Sequence, residues 1–253
     1  MKKINQILVV GLLIITCLSC NKDGGMSVDA NSAAPATGTG GSTARFTIVG
    51  NYLYTVDKEK LKVFSIINPA DPVLKNTQNI GFEIETIFPF GDKLFIGSTS
   101  VIHIFSISNP ENPQKLSIAI SPTVMRRCDP VVAKDSVAYA TLRTSGPCGG
   151  ISSQLVAFDI HDILNPVQKA SLTVNEPYGL GYADTVLYVC DRTGLYLFNI
   201  AKAYQPQYIR TFPGNWYLDV IPYGNTLICW VNDGLVLYDI SNRMSPQFIN
   251  KII

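Results

Sequence analysis

Histidine is almost missing from this sequence: His103 lies inside an apolar run, His161 just after another, and there are no more. Neither stands near a serine in a nucleophile-elbow context, so Ser/His/Asp and Cys/His catalysis have no support. Apart from Cys17 and Cys20, which close the N-terminal apolar run, no CxxC pair and no Cys/His cluster occurs, which removes the usual signature of a zinc site. No metal and no cofactor is therefore expected. Charge is also sparse, at 15% of residues, and balanced, with 18 basic against 19 acidic residues once Lys2 and Lys3 are set aside. That balance excludes the basic footprint of a nucleic-acid binder and a polybasic membrane patch. Helical patterning is weak throughout. What fills the chain instead is Tyr, Phe, Val, Ile and Thr in short runs punctuated by Gly, Asn, Asp and Pro, the pattern of strands and turns. With 47% hydrophobic residues in 253, the chain is long enough to bury a sizeable all-β core.

The first residues read as an address. Lys2 and Lys3 precede an apolar run from Ile7 to Leu18, short for a bilayer span and the right size for a secretory h-region. Cys17, Leu18, Ser19 and Cys20 follow, and a small residue just before a cysteine resembles the bacterial lipobox. The resemblance implies a signal peptide over 1–19, cleavage before Cys20 and acylation of Cys20, although Cys17 stands where the pattern prefers Leu. The expectation is a lipid-anchored protein of the cell envelope, at the outer membrane, with the membrane as its first partner. From Asn21 to Ala44 the chain is rich in Gly, Ser, Thr and Ala, so residues 20–44 are predicted to form a flexible tether.

Repetition organises residues 45–253. Leu61-x-Val63-Phe64-Ser65-Ile66 recurs as Ile102 to Ile107, Leu155 to Ile160, Leu195 to Ile200 and Leu235 to Ile240, each with an aromatic at the same place. A proline follows six residues after each final Ile, at Pro72, Pro113, Pro166, Pro206 and Pro246, where it ends pairing and starts the next strand. Gly50-Asn51, Gly91-Asp92, Lys134-Asp135, Ala183-Asp184 and Gly224-Asn225 mark a turn upstream of each copy. The final Ile residues are 41, 53, 40 and 40 apart. A period near forty with four strands per unit predicts a five-bladed β-propeller of antiparallel repeats, at about 45–80, 83–120, 126–174, 177–213 and 216–253. Both faces of the repeated strand are apolar, so ring closure is expected to cover the terminal blades. The third repeat carries roughly ten extra residues, predicted to project as a longer hairpin with Arg143 and Cys148.

LVLYDI at 235–240, LVAFDI at 155–160 and SNPENP at 108–113 resemble the LVIVD repeat, and CDPVV at 128–132, PYGLG at 177–181 and LYVCDRTGL at 187–195 resemble LVIVD-repeat lipoproteins of Bacteroidota-type bacteria. The resemblance implies a propeller-like lipoprotein without an assigned activity. Ser65, Ser106 and Asn199 replace its Asp and still suit a turn-proximal hydrogen bond.

Candidate site residues follow from aligning the repeats on their turns. Arg45, Thr86, Asp129, Tyr178 and Asp219 then share one position, with Glu85, Glu176 and Trp216 close by. If these begin the innermost strands they ring one mouth of the channel, where propellers commonly bind ligands. The face bearing Arg126, Arg127, Asp129, Arg143, Tyr178, Trp216 and Asp219 is the expected interaction face, for an envelope protein or glycan and not for nucleic acid. A non-enzymatic binding module is the leading reading. A glycoside hydrolase-like enzyme using Asp129 and Asp219 with Glu85 or Glu176 is a second, and a structural spacer a third. Cys128 and Cys148 flank the insertion and stand either as free thiols or as a disulfide worth about 3 kcal/mol. Cys190 and Cys229 read as small core residues.

Overall fold

The computed structural model describes residues 40–122, 130–144 and 152–253. They form twenty strands in five four-stranded antiparallel sheets, with no helix among the described residues long and apolar enough to cross a membrane. Blade 1 holds β1 (Phe46–Val49), β2 (Tyr52–Val56), β3 (Lys60–Ser65) and β4 (Val73–Asn79). Blade 2 holds β5 (Ile84–Phe90), β6 (Lys93–Ser98), β7 (Ile102–Ser106) and β8 (Gln114–Ala119). Blade 3 holds β9 (Val131–Lys134), β10 (Val137–Leu142), β11 (Ser153–Asp159) and β12 (Val167–Val174). Blade 4 holds β13 (Pro177–Ala183), β14 (Val186–Asp191), β15 (Gly194–Asn199) and β16 (Gln207–Pro213). Blade 5 holds β17 (Tyr217–Tyr223), β18 (Thr226–Val231), β19 (Gly234–Asp239) and β20 (Gln247–Ile252). Within each blade the strands pair in chain order.

Local chemistry accounts for this layout. The first hairpin of each blade closes on two residues, the first with positive φ: Gly50, Gly91, Asp135, Asp184 and Gly224 lie between 51° and 58°. That is the geometry of tight hairpins, which Gly and Asp tolerate best. In blades 3 and 4 the turn pairs are Asp135-Ser136 and Asp184-Thr185, one residue later than the sequence markers, because Lys134 pairs with Val137 and Ala183 with Val186. Each repeated proline sits directly before the outermost strand. Asn68, Asn109, Asp162 and Asn242 each accept a backbone N–H two residues on, closing the loop before it. The motif carboxylates Asp159 and Asp239, and Ser106 and Asn199 in their place, accept the same type of local bond.

Each blade has a forward face, turned to the next blade, and a rear face, turned to the previous one. Four apolar clusters fill the successive interfaces: blades 1 and 2, 2 and 3, 3 and 4, and 4 and 5. The forward aromatics Tyr54, Phe95, Tyr139 and Tyr188 are fully buried. The three tyrosines donate from Oη to the carbonyls of Pro110, Ala203 and Arg243 on the loop of the next blade. The rear aromatics Phe105, Phe158, Phe198 and Tyr238 are buried as well.

None of the four clusters joins blade 5 to blade 1. The blades are those the repeats predict; the expected closure between the first and last is not found among the described residues. On blade 5 the forward residues Trp230, Leu235 and Ile252 are 53%, 38% and 50% exposed, and Ile228 stands where three other blades have a bonded tyrosine. On blade 1 the rear residues Phe46 and Ile48 are 61% and 37% exposed, and Phe64 is only half-buried. Among the described residues, the five blades therefore form an arc with an unpartnered face at each end.

Candidate functional site

The innermost strands β1, β5, β9, β13 and β17 lie side by side and line the axis of the arc. Their first residues define one mouth and their last residues the other. A cavity of about 230 Å³ at the first mouth is lined by Arg45, Glu85, Arg143 and Tyr178, with Thr43, Thr86, Pro130 and Pro177 completing the wall. A larger cavity of about 320 Å³ opens at the opposite mouth, where Phe88, Phe90, Tyr182 and Ile221 make it mostly carbon-walled. Only the smaller one gathers charged side chains, so chemistry favours it over size.

The residues of the smaller cavity are held in a chain of stacked groups. The Arg143 guanidinium lies 4.2 Å from the Tyr178 ring centroid, Tyr178 and Trp216 are 5.6 Å apart and tilted, and Arg192 lies 5.1 Å from the Trp216 ring. Contacts of cation and ring contribute about 0.5–1 kcal/mol each at exposed sites and more when desolvated. Tyr178 donates from Oη to Glu176 at 3.2 Å, and Glu176 also accepts from Arg192 at 3.4 Å. Glu85, half-buried, has its carboxyl pushed up by burial, with the Arg45 and Arg143 charges pulling it back down. Burial is also the main cause that raises the Tyr178 phenol.

Arg143, Tyr178 and Trp216, three members of the expected interaction face, thus share one surface with Glu85 and Glu176. Arg126, Arg127 and Asp129 lie outside the described residues, as do Cys20, Cys128 and Cys148, and with them the signal peptide and most of the tether. Asp219 is placed differently from the expectation. It is 8% exposed and lines neither cavity. Thr43 donates to its Oδ2 from the backbone N at 3.2 Å and from Oγ1 at 2.5 Å, and Ser42 Oγ donates to its Oδ1 at 3.2 Å. Ser42 Oγ in turn accepts the Leu180 N–H at 2.7 Å, and the Ala44 carbonyl accepts the Ile87 N–H at 2.9 Å.

Gly40 lines the larger cavity and Arg45 the smaller, so the segment 40–45 runs along the axis from one mouth to the other. Its hydrogen bonds reach blades 2, 4 and 5, and it acts as a clasp across the inside of the arc. Gly40 to Ala44 are consequently not free tether, as composition predicted, because Gly41 and Ser42 are buried. Nothing local in the sequence announces contacts 138 and 177 residues away. The clasp depends on two glycines. A Cβ on Gly41 would stand 2.0 Å from Asp219 Oδ2, and one on Gly179 would stand 2.2 Å from Asp219 Oδ1.

The turn correction explains the misplacement in part. With the turns at Asp135-Ser136 and Asp184-Thr185, the position equivalent to Asp219 falls on Pro130 and Gly179 instead of Asp129 and Tyr178. Tyr178, one residue earlier, is left to face the mouth. Cys190 and Cys229 are free and fully buried in the interface of blades 4 and 5, and burial raises both thiols. His103 is 7% exposed with Nδ1 unpartnered among the described residues, and His161 is exposed on a loop; neither belongs to the mouth. No group of three or more metal-ligating side chains occurs among the described residues.

Comparison with known proteins bears on the repeat and the fold. The LVIVD repeat matches residues 40–79 and 222–252. No curated protein matches the sequence. Among solved structures, the chain is similar to the periplasmic gluconolactonase PpgL of Pseudomonas aeruginosa, with a TM-score of 0.61 at 14% identity over 80% of this chain and 67% of that one. A protein from Lactobacillus plantarum gives 0.61 at 14% identity over 79% and 67%, and the computationally designed Ika8 protein 0.59 at 12% over 82% and 60%. The chain therefore spans about three fifths to two thirds of these structures. At such identities the likeness is one of fold. The chain is an all-β, five-bladed propeller-type protein that carries LVIVD repeats in its first and last blades.

Proposed function

We propose that this protein is a non-enzymatic binding module, lipid-anchored to the cell envelope through Cys20, whose mouth at Arg143, Tyr178 and Trp216 holds an acidic group of an envelope glycan or protein. The observation that carries this reading is the stacked row Arg143–Tyr178–Trp216–Arg192 beside a cavity that also receives Arg45 and Glu85. Guanidinium groups backed by aromatic rings are preoriented for carboxylate or phosphate, and rigid aromatic walls suit sugar or peptide surfaces. Glu85 adds an acceptor for a hydroxyl or amine next to the bound acid. The leader and the lipobox-like residues before Cys20 support the anchor. The hydrolase reading loses one of its carboxylates, since Asp219 is occupied by Ser42 and Thr43 inside the arc.

Acidic saccharides and acidic peptides, screened by thermal shift and calorimetry, should include a ligand whose binding falls at least about tenfold in Arg143→Ala and in Tyr178→Ala. Binding unchanged in both variants would move the site elsewhere, and turnover of a glycoside would replace this reading with the enzymatic one.

A further inference from the structure

The two ends of the arc are halves of one interface. On the rear of blade 1, Ile48, Leu53, Phe64 and Leu74 stand in a single row, each directly opposite the next across β1, β2, β3 and β4. In the same row of blade 4, Tyr182, Leu187, Phe198 and Tyr208, the first three pack on the forward face of blade 3 while Tyr208, on the outermost strand, is exposed. On the front of blade 5, Trp230, Leu235 and Ile252 stand in one row across β18, β19 and β20. The corresponding residues Thr141 and Leu155 of blade 3, and Cys190 and Leu195 of blade 4, are fully buried by the blade that follows. Each chain thus carries one forward face and one rear face of the type it already joins four times, and leaves both in water.

We propose that a second copy of this chain docks head to tail, the rear face of its blade 1 on the forward face of blade 5. Complementarity is what favours a copy as the occupant: the mating surface for each exposed end is present on the other end of the same molecule. The chain's own N-terminal stretch is poorly suited to the task, since Met26 and Val28 are the large apolar residues between Asn21 and Thr39. Trp230 is the natural anchor, a half-exposed indole where the other blades place Val56, Gly97, Thr141 and Cys190. The fit of the five blades to only part of larger solved propellers is consistent with an arc that has room for more blades. Because the two mating faces differ, the contact is heterologous, and its repetition ends in a ring or continues as a row of copies.

Sedimentation of the full chain in mild detergent across a concentration series tests this. The mass should rise from that of one chain to at least twice that value. Trp230→Asp and Phe64→Asp should each weaken association at least about 30-fold while leaving circular dichroism unchanged. An equimolar mixture of the two variants should associate again, since one keeps an intact rear face and the other an intact forward face. A chain that stays monomeric up to about 100 μM, a concentration at which even a weak micromolar contact is populated, overturns the proposal. So does unchanged association in either variant, which is the result expected of a contact between like faces, or a mixture that fails to associate.

Discussion

Asp219 is a carboxylate whose sequence context points to a ligand site and whose surroundings make it a structural post. Three donors from Ser42 and Thr43 converge on it, yet burial is the larger influence and raises its carboxyl. Asp219→Ala leaves those donors unmatched and is expected to cost about 1–3 kcal/mol in denaturant unfolding. Gly179→Ala should cost at least as much, because the added methyl meets the carboxylate and the Asp219 backbone. In the double variant part of the second cost should vanish, and strictly additive losses would show that the two residues do not meet. His103 carries a separate prediction. Burial lowers its imidazole from 6.5 to about 4, so the folded state holds it neutral while the unfolded state takes up a proton. The resulting stability is complete above pH 6.5 and is lost as pH falls toward 4, by up to about 3 kcal/mol. The difference between the stability curves of the protein and its His103→Leu variant should slope across that window; a flat difference would place His103 in water.

At the scale of the strand and hairpin, the blades were readable because each signal is local and repeated: a two-residue turn, an aromatic strand and a proline before the edge five times, and an Asx-closed loop four times. Counted from the second turn residue, the distance to the final Ile is 15 in repeats one, two, four and five and 24 in the third, so the insertion is nine residues between β10 and β11. It leaves the pairing of those two strands intact and brings Arg143 to the mouth. Tyr178 and Trp216 were legible as mouth residues from their place at the start of inner strands. Asp219 was not, because the residues that cover it come from a segment with the composition of a tether. The tyrosine keys give the element-scale prediction. Tyr139→Phe and Tyr188→Phe each remove one hydrogen bond to the neighbouring loop, at 2.7 and 2.8 Å, without changing shape. Each should lower unfolding free energy by about 1 kcal/mol. Losses below the error of the measurement would mean that apolar packing alone joins the blades.

For the whole molecule, periodicity states how many blades there are but not whether the first meets the last. Phe64 and Trp230 satisfy the repeat pattern as well as their buried counterparts do, so composition carries no sign of the gap. The one hint is Ile228, which stands where blades 1, 3 and 4 have the tyrosine that locks each to its successor. An arc held by the clasp at 40–45 should also respond to cutting that clasp. Ser42→Ala together with Thr43→Ala should increase hydrogen exchange along β17 more than along β9, since the bonds removed end on Asp219. The most direct test of the open arc is the solvent access of Trp230. In Trp216→Phe protein, diluted until the chain is monomeric, acrylamide should quench the remaining half-exposed indole readily, and protection should grow with concentration as faces meet. A Trp230 that is shielded at every concentration would mean that blade 1 covers it within the same chain, and that the ring is closed.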